Sequence, residues 1–229
     1  MGASRGRPSP LSYALFDFDG VVLDTEPLYM QLDRAILTNF GYEPTEEDLL
    51  SFVGKSSSRM GVALLAAHGI DCTVGQYKAA RPDPLGAIYA NPDVGPIAGL
   101  PELWAGLDGR GVAIAVVSTS ACAELVAALD RLGLMRHVSA VVGRELVGRL
   151  KPDPEPYLAA LGHLAPGRDL AEAAREAVVV DDSPAGIASA RAAGAFAVGF
   201  QGASVVQGLP DADLVVGGHA ELAELLRGW

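Results

Sequence analysis

Two aspartates separated by one residue, Asp17 and Asp19, form the part of this sequence best suited to chemistry. They follow the apolar run 13–16, which predicts a short buried β-strand. Because side chains alternate along a strand, both carboxylates should lie on one face, and Gly20 allows a sharp turn directly after them. Two like charges held together are costly unless a proton or a cation separates them. The spacing therefore predicts a chemically active site.

A second pair of carboxylates, Asp181 and Asp182, follows the apolar run 178–180. Ser183 is suited to cap the helix that should begin there. A single carboxylate at such a place could be only a cap. Two pairs at two strand ends supply the oxygen ligands that Mg²⁺ prefers, and together they predict a magnesium site.

Hydroxyl side chains follow another apolar run, 114–117, in the stretch Ser118-Thr119-Ser120. Hydroxyls at a strand-to-helix turn can bind phosphate oxygens together with the backbone N–H groups of the turn. Taken alone, the stretch is better explained as the N-cap of a helix that begins near Ala121.

Lys151 lies in the proline-rich stretch 150–154. A solvated lysine in a turn explains this stretch equally well, and the similar stretch 81–84 shows that such turns need no catalytic role. What separates Lys151 is its position after a predicted strand, 140–142, because ligands collect at the strand ends of a parallel sheet.

Five apolar runs predict strands that are buried on both faces, and most are followed by helix-like segments. This alternation predicts an α/β fold, a doubly wound parallel sheet with helices on both faces. The candidate residues fall at carboxyl ends of strands, where such sheets bind ligands. The runs are 13–18, 112–117, 140–142, 177–180 and 196–198.

The connection after the first strand is far longer than a crossover needs, so residues 26–93 predict a small α-helical cap domain inserted there. Helical periodicity and a capping-box pattern support this, and the prolines near residue 82 should break any helix. The sheet domain is expected over 11–25 and 94–229, after a flexible tail over 1–10. Residues 201–229 are predicted to form a last loop and a closing helix.

A polar stretch of the insertion, Lys55, Ser56 and Ser57 after Gly54, could present a cation and hydroxyls to a sugar. An equally good interpretation is the polar N-terminus of a helix. The stretch is therefore a candidate substrate contact with an open structural alternative.

The composition excludes several classes of function. The 229 residues carry a formal net charge of −11 with no dense basic patch, so no nucleic-acid partner is expected. The longest apolar stretches are strand-sized, so no membrane span is expected, and the first ten residues lack a secretory signal. Two cysteines without an export signal indicate a reducing compartment, and a cytoplasmic location is predicted. The sequence leaves the oligomeric state open and is compatible with a monomer.

These motifs together resemble the haloacid dehalogenase superfamily of phosphohydrolases, in the branch with a small helical cap. That branch includes β-phosphoglucomutase and phosphoglycolate phosphatase. The matching stretches occur in the expected order, and the resemblance spans about residues 11–225. They are Asp17-Phe18-Asp19-Gly20-Val21-Val22-Leu23-Asp24-Thr25-Glu26, Ser118-Thr119-Ser120, Lys151-Pro152 and Asp181-Asp182-Ser183-Pro184-Ala185-Gly186.

The resemblance implies a Rossmann-like core, Mg²⁺ as cofactor and a role for each carboxylate. Asp17 would be the nucleophile that becomes an aspartyl-phosphate. Asp19 would protonate the leaving oxygen and then accept a proton from the attacking water. The metal would be held by Asp17, the Asp19 backbone carbonyl and Asp182. Asp181 would be adjacent or water-bridged, because this chain has the shorter aspartate where the family usually has glutamate.

The resemblance also implies a substrate and a way of binding it. Ser118, Thr119 and Lys151 would hold the phosphoryl oxygens, and the lysine with Mg²⁺ would reduce the repulsion between carboxylate and phosphate. The helical insertion would close over the site and select the substrate. The implied function is a Mg²⁺-dependent phosphatase acting on a small phosphorylated metabolite such as a sugar phosphate.

Three other functions share parts of this pattern. A phosphosugar mutase loses weight because β-phosphoglucomutase relatives have a histidine at the position of Tyr29. Asp19 argues against a dehalogenase, because departing halide needs no proton. Non-catalytic signalling receiver domains also combine an acidic pair, a phospho-accepting aspartate, a hydroxyl and a lysine, but in the reverse order and without a long insertion.

Overall fold

The computed structural model describes residues 6–53, 55–81 and 86–229, with side chains from Ile88 onward in the last segment. Part of the predicted tail, Gly54 and the prolines of the predicted helix break lie outside the described residues. Each helix in the described chain is too short or too polar to serve as a membrane-spanning segment.

The chain divides into two compact units. One is a sheet unit, built from the residues up to Asp24 together with Tyr89–Trp229, and the other is a helical unit, Thr25–Ile88. The sequence places the end of the insertion at residue 93, whereas the helical unit ends earlier. Residues 89–93 group with the sheet because its Arg131 Nε donates a hydrogen bond to the Tyr89 carbonyl, 3.0 Å away.

The sheet has six parallel strands within the described residues, in the order β3-β2-β1-β4-β5-β6. The chain starts in the middle, adds two strands on one side and then three on the other. This is the doubly wound topology, so the predicted fold class is confirmed. The strands are β1 (Tyr13–Phe16), β2 (Ala113–Val117), β3 (Val138–Val142), β4 (Ala177–Asp181), β5 (Phe196–Phe200) and β6 (Leu214–Val216).

The edge strand β6 lies in the region predicted as a last loop and a closing helix, so that prediction is incomplete. β6 pairs with β5, with Leu214 beside Val198 and Val216 beside Phe200. Its three residues are too few to show an alternating pattern in the sequence.

Helices cover both faces of the sheet, and the alternation along β1 divides the core between them. Ala14 and Phe16 belong to one apolar cluster, and Tyr13 and Leu15 belong to the other. On the Phe16 face pack α6 (Leu100–Asp108), α7 (Cys122–Arg131) and α11 (His219–Leu226). On the Leu15 face pack α8 (Glu155–Leu164), α9 (Leu170–Arg175) and α10 (Pro184–Ala193).

The helical unit has an apolar core of its own, which includes Ile36, Leu65 and Tyr77. The predicted capping box is present, because Thr45 Oγ accepts from the Asp48 N–H and the Asp48 carboxylate accepts from the Thr45 N–H. The helices are α1 (Glu26–Asn39), α2 (Glu46–Leu50), α3 (Ser57–Ala67) and α4 (Val74–Ala79), and α5 (Gly86–Ala90) contains the boundary between the units.

Candidate active site

Three neighbouring strands deliver the candidate residues to one edge of the sheet. Asp17 directly follows β1, Ser118 directly follows β2, and Asp181 ends β4, with β1 lying between the other two. The Asp17 N–H still donates to the Val180 carbonyl (2.9 Å), so the nucleophile candidate is fixed by the sheet itself. The parallel register therefore brings together residues that are far apart in the sequence.

The Lys151 ammonium lies between two carboxylates at this edge. Its Nζ donates to Asp17 Oδ1 (2.8 Å), to Asp181 Oδ2 (2.8 Å) and to the Val117 carbonyl (3.0 Å). Burial alone would lower the pKa of Lys151, but the charges of Asp17 and Asp181 outweigh it and raise the pKa well above its usual value. The lysine thus places a permanent positive charge beside Asp17.

Asp181 is fully buried, and four hydrogen-bond donors surround its carboxylate. Oδ2 accepts from Lys151 and from the Tyr157 hydroxyl (2.5 Å), and Oδ1 accepts from the N–H and the hydroxyl of Ser183 (2.9 and 2.8 Å). A carboxylate offers about four lone-pair sites, and these donors occupy them. Asp181 is therefore arranged to anchor Lys151 and the start of α10.

Three carboxylates lie close together at this edge: Asp17, Asp181 and Asp182 each have an oxygen within 4.8 Å of the others. Because four donors already occupy Asp181, Asp17 and Asp182 are the two that are suited to hold a cation. Burial raises the pKa of Asp17 to about 7, and the charges of Asp181 and Asp19 add to this while Lys151 opposes it. Burial, with the charges of Asp17 and Asp181, also raises the pKa of Asp182 to about 9. A divalent cation would relieve this repulsion.

Gly20 brings the backbone of the loop after β1 close to Asp182. Its φ of +73° favours glycine, and a Cβ there would lie 2.2 Å from Asp182 Oδ2. The close approach adds the oxygen-rich Asp19–Gly20 turn to the carboxylate cluster. Carboxylate and carbonyl oxygens are the ligands that Mg²⁺ takes, so the residues present fit this ion.

Hydroxyl groups surround the Asp19 carboxylate. The Tyr89 hydroxyl lies 2.9 and 3.0 Å from its two oxygens, and the hydroxyls of Ser120 and Ser118 lie 3.3 and 3.4 Å from Oδ2. The sequence motifs include Asp19 and the two serines. They do not include Tyr89, which lies within the predicted insertion, or Tyr157, which comes from a helix behind the site.

The turn after β2 does not cap a helix with a hydroxyl. The N-cap of α7 is Ala121, so the interpretation of Ser118-Thr119-Ser120 as an N-cap is wrong. Instead, the Ser118 hydroxyl is buried, faces Asp19 and accepts from the Ser120 N–H (3.1 Å). Thr119 is exposed on the same turn.

The polar stretch of the helical unit makes contacts within that unit. Lys55 Nζ donates to the Ser51 carbonyl (3.0 Å), and exposed Ser56 is the N-cap of α3 without a side-chain capping bond. The Ser57 hydroxyl donates to Asp33 Oδ1 (2.5 Å), a buried carboxylate that the helical periodicity does not reveal. A role of these residues toward a substrate stays a prediction.

Comparison with known proteins places these features in a family. The family model of haloacid dehalogenase-like hydrolases matches residues 14–200. Validoxylamine A 7'-phosphate phosphatase of Streptomyces hygroscopicus is 29% identical over 208 residues, 89% of this chain and 92% of that protein. N-acetylmuramic acid 6-phosphate phosphatase of Pseudomonas aeruginosa is 31% identical over 156 residues, 67% of this chain and 68% of that protein.

A solved structure shares both the fold and part of the sequence. The crystal structure of a haloacid dehalogenase family hydrolase from Deinococcus radiodurans, with bound phosphate and sodium, superposes with a TM-score of 0.76 at 28% identity. The match covers 95% of this chain and 96% of that one.

Proposed function

The chain belongs to the haloacid dehalogenase-like hydrolases and is a phosphatase of that family, and we propose that it hydrolyses a small phosphorylated metabolite, such as a sugar phosphate, through an aspartyl-phosphate on Asp17. The observation that carries this proposal is the convergence on Asp17 of the Lys151 ammonium and the Asp182 carboxylate. The two relatives named above are phosphatases of validoxylamine A 7'-phosphate and N-acetylmuramic acid 6-phosphate, which supports a substrate of the sugar-phosphate class.

The proposed reaction has two steps on the chain's own residues. In the first, an Asp17 oxygen attacks phosphorus, the ester P–O bond breaks, and Asp19 gives a proton to the leaving alkoxide. In the second, Asp19 takes a proton from water as that water attacks phosphorus. Phosphate leaves, and the Asp17 carboxylate is restored.

Binding of the phosphoryl group falls to the groups around Asp17. Lys151 supplies a buried positive charge, Ser118 supplies its hydroxyl, and Thr119 supplies its hydroxyl and N–H, because the Ser118 N–H already donates to the Val142 carbonyl (3.0 Å). Mg²⁺, held by Asp17, the Asp19 carbonyl and Asp182, would neutralise charge on the phosphoryl oxygens. Asp181 would act through Lys151, because its own lone pairs already have donors.

We propose that the helical unit acts as a cap domain and selects the substrate. Lys55, Ser56 and Ser57 remain the candidate contacts. Lys55 and Ser56 are exposed, whereas the Ser57 hydroxyl is already bound to Asp33, so we expect Lys55 and Ser56 to matter more.

A turnover screen tests the proposal. Purified protein is incubated with phosphorylated sugars and small phosphorylated acids, with Mg²⁺ or with EDTA, and released phosphate is measured. We expect Mg²⁺-dependent release that EDTA and Asp17→Asn both abolish. Glucose 1-phosphate isomers with a bisphosphate primer are included, and isomerisation without phosphate release would indicate a mutase instead. Phosphate release that survives both EDTA and Asp17→Asn would rule the proposal out.

A further inference from the structure

Tyr89 lies beside the proposed acid/base although it belongs to none of the sequence motifs. Its side chain is 2% exposed, and its hydroxyl lies 2.9 Å from Asp19 Oδ1 and 3.0 Å from Oδ2. The same hydroxyl lies 2.6 Å from Ser120 Oγ. We propose that Tyr89 is a positioning residue for Asp19, which fixes the direction of the carboxyl during proton transfer. This inference rests on the proposed function.

Both the ring and the backbone of Tyr89 are fixed by contacts within the sheet unit. Its ring packs edge-on against Phe18, with centroids 5.4 Å apart, inside the apolar cluster of the sheet unit. Its backbone carbonyl accepts from Arg131 Nε (3.0 Å), and the same guanidinium donates through Nη1 to the Val94 carbonyl (2.9 Å). A side chain fixed by packing and by its backbone can orient another group at little further entropic cost.

A hydroxyl is also suited chemically to this place. It donates to a carboxylate and can equally donate to the carbonyl oxygen of the protonated acid, which leaves the acid proton free for the leaving group, so Tyr89 can stay bonded to Asp19 in both steps of the reaction. Ser120 Oγ, 2.6 Å from the phenol oxygen and 3.3 Å from Asp19 Oδ2, can donate to the phenol oxygen while the phenol donates to Asp19. Phenylalanine would keep the ring contact with Phe18 and remove only these hydrogen bonds.

The test uses two aryl phosphates of similar shape whose leaving groups differ in basicity. 4-Nitrophenyl phosphate releases a stable anion, whereas 4-methoxyphenyl phosphate needs a proton from the general acid. Single-turnover release of each phenol is measured with Mg²⁺ for the wild type and for Tyr89→Phe. Because proton transfer contributes about 10²–10⁴-fold in such sites, we expect misdirection of Asp19 to cost about tenfold with the methoxy ester and less than about twofold with the nitro ester.

Two further variants serve as references. Asp19→Asn removes the acid itself. It should lower the rate more than Tyr89→Phe does, and again more for the methoxy ester than for the nitro ester. Tyr77→Phe removes a matched buried hydroxyl, bonded to Asp33 Oδ1 (3.0 Å) in the helical unit, and should leave the ratio of the two rates unchanged. Ser120→Ala removes a hydrogen-bond partner of the Tyr89 phenol together with the longer contact of Ser120 to Asp19 Oδ2 (3.3 Å). It should shift the ratio in the same direction as Tyr89→Phe, by less, which provides a second variant if Tyr89→Phe is unstable.

The outcomes separate the two proposals. In one outcome, Asp19→Asn slows the methoxy ester more than the nitro ester, whereas Tyr89→Phe and Ser120→Ala slow both esters equally or not at all. The role of Tyr89 is then wrong, while the proposed function stands. If the wild type releases neither phenol from the two esters nor phosphate from any compound of the turnover screen, or if Asp19→Asn leaves both ester rates unchanged, the proposed function fails and the role of Tyr89 fails with it. A selective loss in Tyr89→Phe, absent in Tyr77→Phe, supports the inference.

Discussion

Lys151 is the residue on which the geometry of the site depends most. One ammonium group holds Asp17 and Asp181, and its own position is fixed by the Val117 carbonyl and by the Tyr157 ring, 4.9 Å from Nζ. The ammonium and the two carboxylates are buried, so the charge of each is stabilised by the opposite charge beside it.

Replacing Lys151 by methionine should disable the site and destabilise the fold. The change keeps the length of the side chain but leaves two buried carboxylates without their cation, which costs about 3–5 kcal/mol in comparable pairs. We expect kcat to fall at least about 10²-fold, as for the loss of a charge that stabilises the transition state. Steady-state kinetics and urea unfolding measure both effects.

Lys78→Met is the matched control, because this lysine is exposed on α4. It should leave the free energy of unfolding within about 0.5 kcal/mol of the wild type. A Lys151→Met protein with normal kcat would contradict the role given to the ammonium.

At the scale of secondary-structure elements, the approach of α10 to the sheet determines where Asp181 lies. Gly186 in the first turn of α10 is buried, and a Cβ there would lie 1.8 Å from Asp181 Oδ2. Ser183 caps the same helix and also binds Asp181, so the position of the helix and the position of the carboxylate depend on each other.

Gly186→Ala should therefore push Asp181 or α10 out of place. We expect a loss of about 1–3 kcal/mol in the free energy of unfolding, as for overpacking of a core, together with lower activity through Lys151. Gly162 in α8 is the control, since it is exposed and a Cβ there meets nothing within 4 Å. Gly162→Ala should instead stabilise the protein by about 0.5–1 kcal/mol. Equal effects of the two changes would show that Gly186 is not needed for close packing.

The sequence predicts the sheet well because its strands are short apolar runs, most of them followed by a helix or by the helical insertion, although β5 leads through a loop directly to β6. The same runs place Asp17, Ser118 and Asp181, since each comes at or directly after a strand end. Tyr89 and Tyr157 reach the site from helices. Which face of each helix meets the sheet depends on tertiary packing, which a local sequence pattern does not indicate. The sequence does not reveal β6 for a related reason, because the pairing of this short strand with β5 is what defines it.

At the scale of the whole molecule, the crowded carboxylates link folding to pH and to metal. In the metal-free protein, burial raises the pKa values of Asp17 and Asp182 from 3.8 to about 7 and about 9. Such groups hold protons more tightly in the folded state than in the unfolded state. Their contribution to stability is complete below the ordinary pKa and is lost as pH rises through the two raised values.

We therefore expect the unfolding temperature of the EDTA-treated protein to fall between about pH 6 and about pH 9. Mg²⁺ binds the ionised carboxylates, so it should raise the unfolding temperature, and by more at the higher pH. Asp182→Asn should weaken both effects, which separates them from the general repulsion of a chain with net charge −11. A metal-free protein that gains stability over this range would contradict the assignment.

The most direct test of the central claim is to identify the residue that carries the phosphoryl group. The protein is mixed with Mg²⁺ and a ³²P-labelled substrate from the turnover screen, quenched in acid within one turnover and digested for peptide mapping. We expect acid-stable, hydroxylamine-sensitive label on the peptide that contains Asp17, and no label in Asp17→Asn. Rapid turnover with the label on another residue, or with Asp17→Asn as active as the wild type, would contradict it.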